Sequence, residues 1–216
     1  MPRQSPGAKA TCWWHRKMGQ ALGIPVQVYG TASQRPALFI ANHISWFDIH
    51  AIGGLLPARF LSKAEVGKMP IMGWLATRAG TLYIPRGGRT ASLQAIQTMT
   101  EALKQNQSVI LFAEGTTTDG NVKRFHSRLI QSAIDAGCEI QPIAIRYPHQ
   151  TELAHPAAPF IGDMTLAESF TGILKTETLK AEVHFLDVIP TGVKSRNELA
   201  REAEEMVREL IEKQKN

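Results

Sequence analysis

The chain predicts an α/β fold, a mostly parallel central sheet flanked by helices, and three observations carry that reading. Apolar runs of strand length recur, Leu38 to Ala41 and Ser108 to Phe112 among them, each too short for a helix. Segments with helical spacing of apolar residues lie between them, and such alternation implies crossover units and parallel pairing. At 216 residues, 44% hydrophobic and 20% charged, the chain is long enough for a real core and is not a disordered one.

Residues 8–22 read as an amphipathic helix, with Ala10, Trp14, Met18 and Ala21 on one face and Lys9 and Arg16 opposite. Trp13 and Trp14 beside Arg16 and Lys17 suit a membrane interface, rings at headgroup depth and cations near lipid phosphate. Packing of this helix on its own domain is the competing reading. The chain is therefore divided into an N-terminal amphipathic segment, 1–24, and one domain, 25–216. Val26 to Tyr29 begins a strand, and Leu38 to Ala41 is the next. Ser45 and Asp48 have the spacing of a capping box, so a helix is expected from there to about Leu56, where Pro57 breaks it.

Arg59 to Lys63 is a short strand, Ile71 to Thr77 a short helix, and Gly80 to Pro85 a strand ending at Arg86. Thr90 to Asn106 is helical, with Leu93, Ile96 and Leu103 inward. After the buried strand Ser108 to Phe112, a helix is expected over Phe125 to Ala136 and a strand over Glu139 to Arg146. Residues 147–162 carry Pro148, Pro156 and Pro159 and read as loop. Leu179 to Ile189 alternates as a late strand. Ser195 and Glu198 match a second capping box, opening a helix with Leu199, Ala203, Met206 and Leu210 on one face.

A net charge of +5 and a pI near 9.4 favour anionic partners such as a membrane surface, a phosphorylated substrate or an acidic carrier protein. Nucleic acid is not expected, because the basic residues are scattered and the aromatics form no stacking platform. Cys12 and Cys138 lack metal-ligand spacing and suit a reducing compartment. No apolar run approaches a spanning helix, and no apolar stretch follows the first charged residues as in a secretory signal.

Chemistry concentrates at strand ends. Asn42-His43 follows one strand, Arg86 another, and Glu114-Gly115-Thr116-Thr117 a third; in a parallel sheet such ends line one crevice. His43 with Asp48 makes a general base, the carboxylate fixing the imidazole tautomer and stabilising its cation. Asp48 as a helix cap and His43 as an interior histidine is the alternative that spacing alone leaves open.

Four blocks in order, Asn42-His43-x-x-x-x-Asp48, Gly80 to Arg86, Phe112 to Thr116 and Ile140 to Ile143, resemble those of glycerolipid (1-acylglycerol-3-phosphate) acyltransferases. Thr117 to Val122, Phe125, Ser127 and Gly162 to Met164 are similar to the bacterial lyso-ornithine-lipid branch. The resemblance spans roughly residues 25–190. It implies that His43 is the base and Asp48 its partner, with Arg86, Glu114, Gly115, Thr116 and Thr117 at the acceptor's head group and Lys63 nearby. It implies a thioester donor, acyl carrier protein or coenzyme A, and a lysolipid acceptor. Neither cofactor nor metal is expected, and the site of action would be the cytoplasmic face of the membrane, peripherally.

Two departures stand out. The N-terminal membrane segment often seen in the family is reduced here to the short helix at 8–22. The family's third block commonly reads Phe-Pro-Glu-Gly-Thr-Arg-Ser; here Ala113 replaces the proline and Thr117 the arginine. Loss of that guanidinium removes a bidentate phosphate fork and suits an acceptor whose head is not a phosphomonoester. Competing readings are a phosphatidic-acid-forming enzyme, a hydrolase using the same base on water, and a non-catalytic lipid-binding or carrier-binding protein.

Overall fold

The computed structural model describes residues 6–70, 72–84 and 87–213. Helix α1 (Pro6–Ala21) leads into strands β1 (Val26–Tyr29) and β2 (Ala37–Ala41). Then come α2 (Asp48–Gly53), β3 (Ala58–Lys63), α3 (Ala64–Gly67), α4 (Met72–Arg78), β4 (Leu82–Ile84), α5 (Gly88–Lys104) and β5 (Ser108–Phe112). A 3-10 turn (Arg128–Ile130), α6 (Gln131–Ala136), β6 (Glu139–Arg146), α7 (Leu166–Leu174), β7 (Ala181–Phe185) and α8 (Arg196–Lys213) complete the chain.

The strands form one sheet in the order β1-β7-β6-β2-β5-β3-β4, parallel except where β6 meets β7. Alternation along β2 explains the layers. Ala37, Phe39 and Ala41 enter a core shared with Phe47 and Ile52 of the α2 region and Ile173 of α7. Leu38 and Ile40 enter the opposite core, against Met99 and Leu103 of α5, Ala133 of α6 and Ala203, Val207 and Ile211 of α8. The connection from β2 leads to β3 on one side, while β5 connects to β6 on the other, so the topology reverses at β2. A crevice opens at the carboxyl ends of the strands at such a point.

Several expectations need correction. Helix α1 buries Cys12, His15 and Gly19, with Leu22 just beyond it, while Ala10 and Ala21 are exposed. The inward face is therefore rotated from the expected one, because two small residues and an uncharged His fit closely against α2. Leu93 points to solvent, and Ala95, Ile96 and Met99 carry the packing of α5. Residues 121–127 are not helical: the Phe125 and His126 amides are held by Glu204 and by the Ala113 carbonyl, which keeps that tract outside a helix. The late strand stops at Phe185, with Ile189 returning to bridge Ile140.

Where α1 meets α2, His15 Nδ1 and His50 Nδ1 are hydrogen-bonded at 3.0 Å, one ring donating and the other accepting. Burial pulls His15 down to about 4, and burial plus His15 pulls His50 to about 3. Both rings thus stay neutral when folded, whereas the unfolded chain protonates them near 6.5. The unfolded state binds more protons between those values, so stability is full above pH 6.5 and declines as pH falls toward 4. Thermal melts should show the unmodified protein losing several degrees between pH 7 and 5 that His15→Leu/His50→Leu does not lose. Equal slopes for the two proteins would show that the pair does not stay neutral in the fold.

Candidate active site

Strand β2 ends at Ala41, and Asn42 just beyond it continues the ladder with its side-chain amide. Asn42 Nδ2 donates to the Ile145 carbonyl at 3.0 Å, and the Ile145 amide donates to Asn42 Oδ1 at 2.8 Å. This frees the backbone to turn at His43 while β2 stays fixed to β6. The His43 ring then lies flat on Phe112 at the end of β5, with centroids 3.9 Å apart and planes 11° off parallel.

Asp48 opens α2 and is fully buried. Its Oδ2 accepts from His43 Nδ1 at 2.8 Å, from the Ile44 amide at 2.7 Å and from the Ser45 amide at 2.9 Å. Only half of the expected capping box is present, since Ser45 Oγ accepts from Phe47 rather than from the Asp48 amide. The other oxygen, Oδ1, accepts from the Tyr147 hydroxyl at 2.6 Å. Tyr147 is wholly buried, and burial together with the Asp48 charge holds its phenol well above the usual range, so it remains a donor. A carboxylate with four donors satisfies its charge without water. Because Asp48 only accepts, Nδ1 of His43 carries the hydrogen and Nε2 presents its lone pair. The His43 side chain keeps 16% of its surface exposed, enough for a reactant to approach.

Glu114, directly after β5, turns inward. Its oxygens accept from the His43 amide at 2.7 Å and from the Lys123 amide at 2.8 Å, and the residue is 3% exposed. Burial pushes its carboxyl up to about 7 against the pull of those two amides. Glu114 therefore braces the turn that carries His43. Gly115, at φ +69°, adopts a left-handed conformation open to a glycine without strain, and Gly115 and Thr116 are exposed beside it. The Thr117 hydroxyl donates to the Phe160 carbonyl, while the Phe160 amide donates to the Ile44 carbonyl at 2.9 Å. Thr118 reaches the His43 carbonyl through both amide and hydroxyl, at 2.8 and 3.1 Å.

The structure thus brings His43, Asp48, Glu114 and Thr117 into one network. Lys63 is exposed at the end of β3, two strands from β2 and so about 10 Å across the sheet. Arg86 lies outside the described residues. Sequence reasoning missed Tyr147, Phe112 and Thr118. Tyr147 and Phe112 stand at the ends of β6 and β5, so the strand-end rule that selected His43 would have marked them too.

A family model described as Acyltransferase matches residues 25–146. The chain is 42% identical over 201 residues to a lyso-ornithine lipid O-acyltransferase of Pseudomonas aeruginosa, covering 93% of this chain and 77% of that protein. It is 32% identical over 195 residues to a 1-acyl-sn-glycerol-3-phosphate acyltransferase of Neisseria gonorrhoeae, covering 88% and 76% respectively. The crystal structure of the 1-acyl-sn-glycerophosphate (LPA) acyltransferase PlsC from Thermotoga maritima superposes with a TM-score of 0.70 at 22% identity, over 95% of this chain and 79% of that one, a likeness of fold. The ordered blocks, the strand-end geometry and these matches agree, and the chain belongs to the acyltransferase family.

Proposed function

We propose that this enzyme moves a fatty acyl group from a thioester, acyl carrier protein or coenzyme A, to a lysolipid hydroxyl, with lyso-ornithine lipid the preferred acceptor. The observation that carries the reading is the His43–Asp48 pair, with Nδ1 committed to Asp48 and Nε2 left as base. His43 Nε2 takes the hydroxyl proton as the oxygen attacks the thioester carbonyl. The C–O bond forms, the C–S bond breaks, and the proton passes from His43 to the departing thiolate. Proton transfer by His43 is worth roughly 100- to 10,000-fold, and Asp48 steadies the imidazolium between those events.

Gly115, Thr116, Thr117, Lys63 and Arg86 form the acceptor side in this reading, and Glu114 acts as a positioning residue through the His43 backbone. The work takes place at the cytoplasmic face of the membrane. Support comes from α1, where Trp13 is exposed near Lys9, Arg16 and Lys17, the pattern of an interfacial helix. Among the described residues no helix is long and apolar enough to cross a membrane.

Acceptor preference turns on Thr117, which stands where the family pattern has an arginine. A charge-assisted hydrogen bond is worth about 1.5 to 3 kcal/mol, or roughly ten- to a hundredfold in affinity. In competition, the enzyme should favour lyso-ornithine lipid over 1-acylglycerol-3-phosphate, and Thr117→Arg should narrow or reverse that ratio. Clear preference of the unmodified protein for the phosphorylated acceptor makes phosphatidic acid the product instead.

A further inference from the structure

Helix α7 is a nine-residue surface helix that buries Ser169 and Ile173 and leaves Leu166, Phe170 and Leu174 in the open, the last 55% exposed. Those three recur every fourth residue and so form one stripe. Ile161 and Met164, just before the helix, extend the apolar exposure. The one ionisable side chain of α7, Glu168, is bound into a capping box with the Thr165 amide and hydroxyl. Asp163 and Lys175 bracket the stripe with opposite charges. The stripe itself is apolar and the charges around it, Asp163 and Glu168 against Lys175, leave one negative charge, which suits a neutral acyl layer and not an acidic protein.

Its position gives the patch a use. Trp46, three residues after His43, donates from Nε1 to Ser169 Oγ at 3.0 Å and stacks on Phe170 at 6.3 Å. The loop before α7 is tied to the catalytic turn through Phe160 and Ile44 and to Thr117. The apolar face is therefore fastened to the turn that carries His43.

We infer that α7, with Ile161 and Met164, is a face this enzyme lays on a lipid surface in addition to α1, so that a lysolipid passes from the bilayer to His43. The inference rests on the lysolipid reading above. A surface used this way binds zwitterionic vesicles and tolerates salt, unlike attachment through basic residues alone.

The test is sedimentation with phosphatidylcholine vesicles at low and high salt, comparing the unmodified enzyme with Leu166→Glu/Leu174→Glu. Both side chains are exposed, and an unchanged melting temperature confirms that the variant folds. The double variant should lose at least about tenfold in vesicle partitioning. It should lose a similar factor in transfer to a vesicle-embedded lysolipid and little with a short-chain, water-soluble one. His43→Ala should bind vesicles normally. Unchanged partitioning of the double variant overturns the inference, as does a dimer of the unmodified protein that the variant disperses without altering vesicle binding. Vesicle binding as expected, with no acyl transfer to any lysolipid, would instead sink the lysolipid reading and leave the docking face standing.

Discussion

Replacing His43 with Ala should remove acyl transfer, by a factor on the order of 1,000 or more, while the protein folds as before. Both halves of that result come from the same geometry. The imidazole is the base whose Nε2 is free, and loss of a general base costs roughly 100- to 10,000-fold. The ring nevertheless holds little of the fold: it lies on Phe112 at the rim of the sheet, and Asp48 keeps the Ile44, Ser45 and Tyr147 donors without it. His43→Gln should fail equally, because an amide of similar reach is no base near neutral pH. Acyl-transfer assays paired with thermal melts decide the matter. Retention of more than about a tenth of the rate by His43→Ala would mean that proton transfer lies elsewhere.

The sheet was legible because its strands are short apolar runs buried on both faces, such as Ile110 in β5 and Ile40 in β2, bounded by turn residues. Helix α7 was not read, although Thr165 and Glu168 have the capping-box spacing that marked α8. Its exposed apolar stripe resembles neither a solvated face nor a core-facing one, so periodicity alone gave it no partner. The rotation of α1 has a different cause. Apolarity favours Trp14 and Met18, whereas packing against α2 selects by fit, and the His15 ring lies over Gly53 within 2.6 Å of where a Cβ would stand. Within the site, the sequence placed His43, Asp48 and the Glu114 tract at one edge. What it did not carry was direction: Glu114 faces the protein, and Tyr147 reaches Asp48 from a position 99 residues away. Such long-range pairs are set by strand order, which local spacing does not encode.

Asp48→Asn should cost at least about a hundredfold in kcat, with KM for either substrate little changed. An amide cannot reproduce this carboxylate. Its oxygen can stand where Oδ2 accepts from His43, Ile44 and Ser45, but its NH2 then faces the Tyr147 hydroxyl, which must turn and become an acceptor. The imidazole keeps a hydrogen bond and loses the negative charge that stabilises its cation, so the loss falls on turnover. Asp48→Ala should instead lose stability as well. It strands two backbone amides and one phenol in a fully buried site, each costing roughly 1 to 3 kcal/mol. Tyr147→Phe separates the two roles, since it leaves Oδ2 intact and removes only the donor to Oδ1. Its expected result is a modest drop in melting temperature and a rate within about tenfold of the unmodified enzyme. If Asp48→Asn keeps full kcat and lowers only the melting temperature, Asp48 is a structural anchor of α2, and His43 works without it.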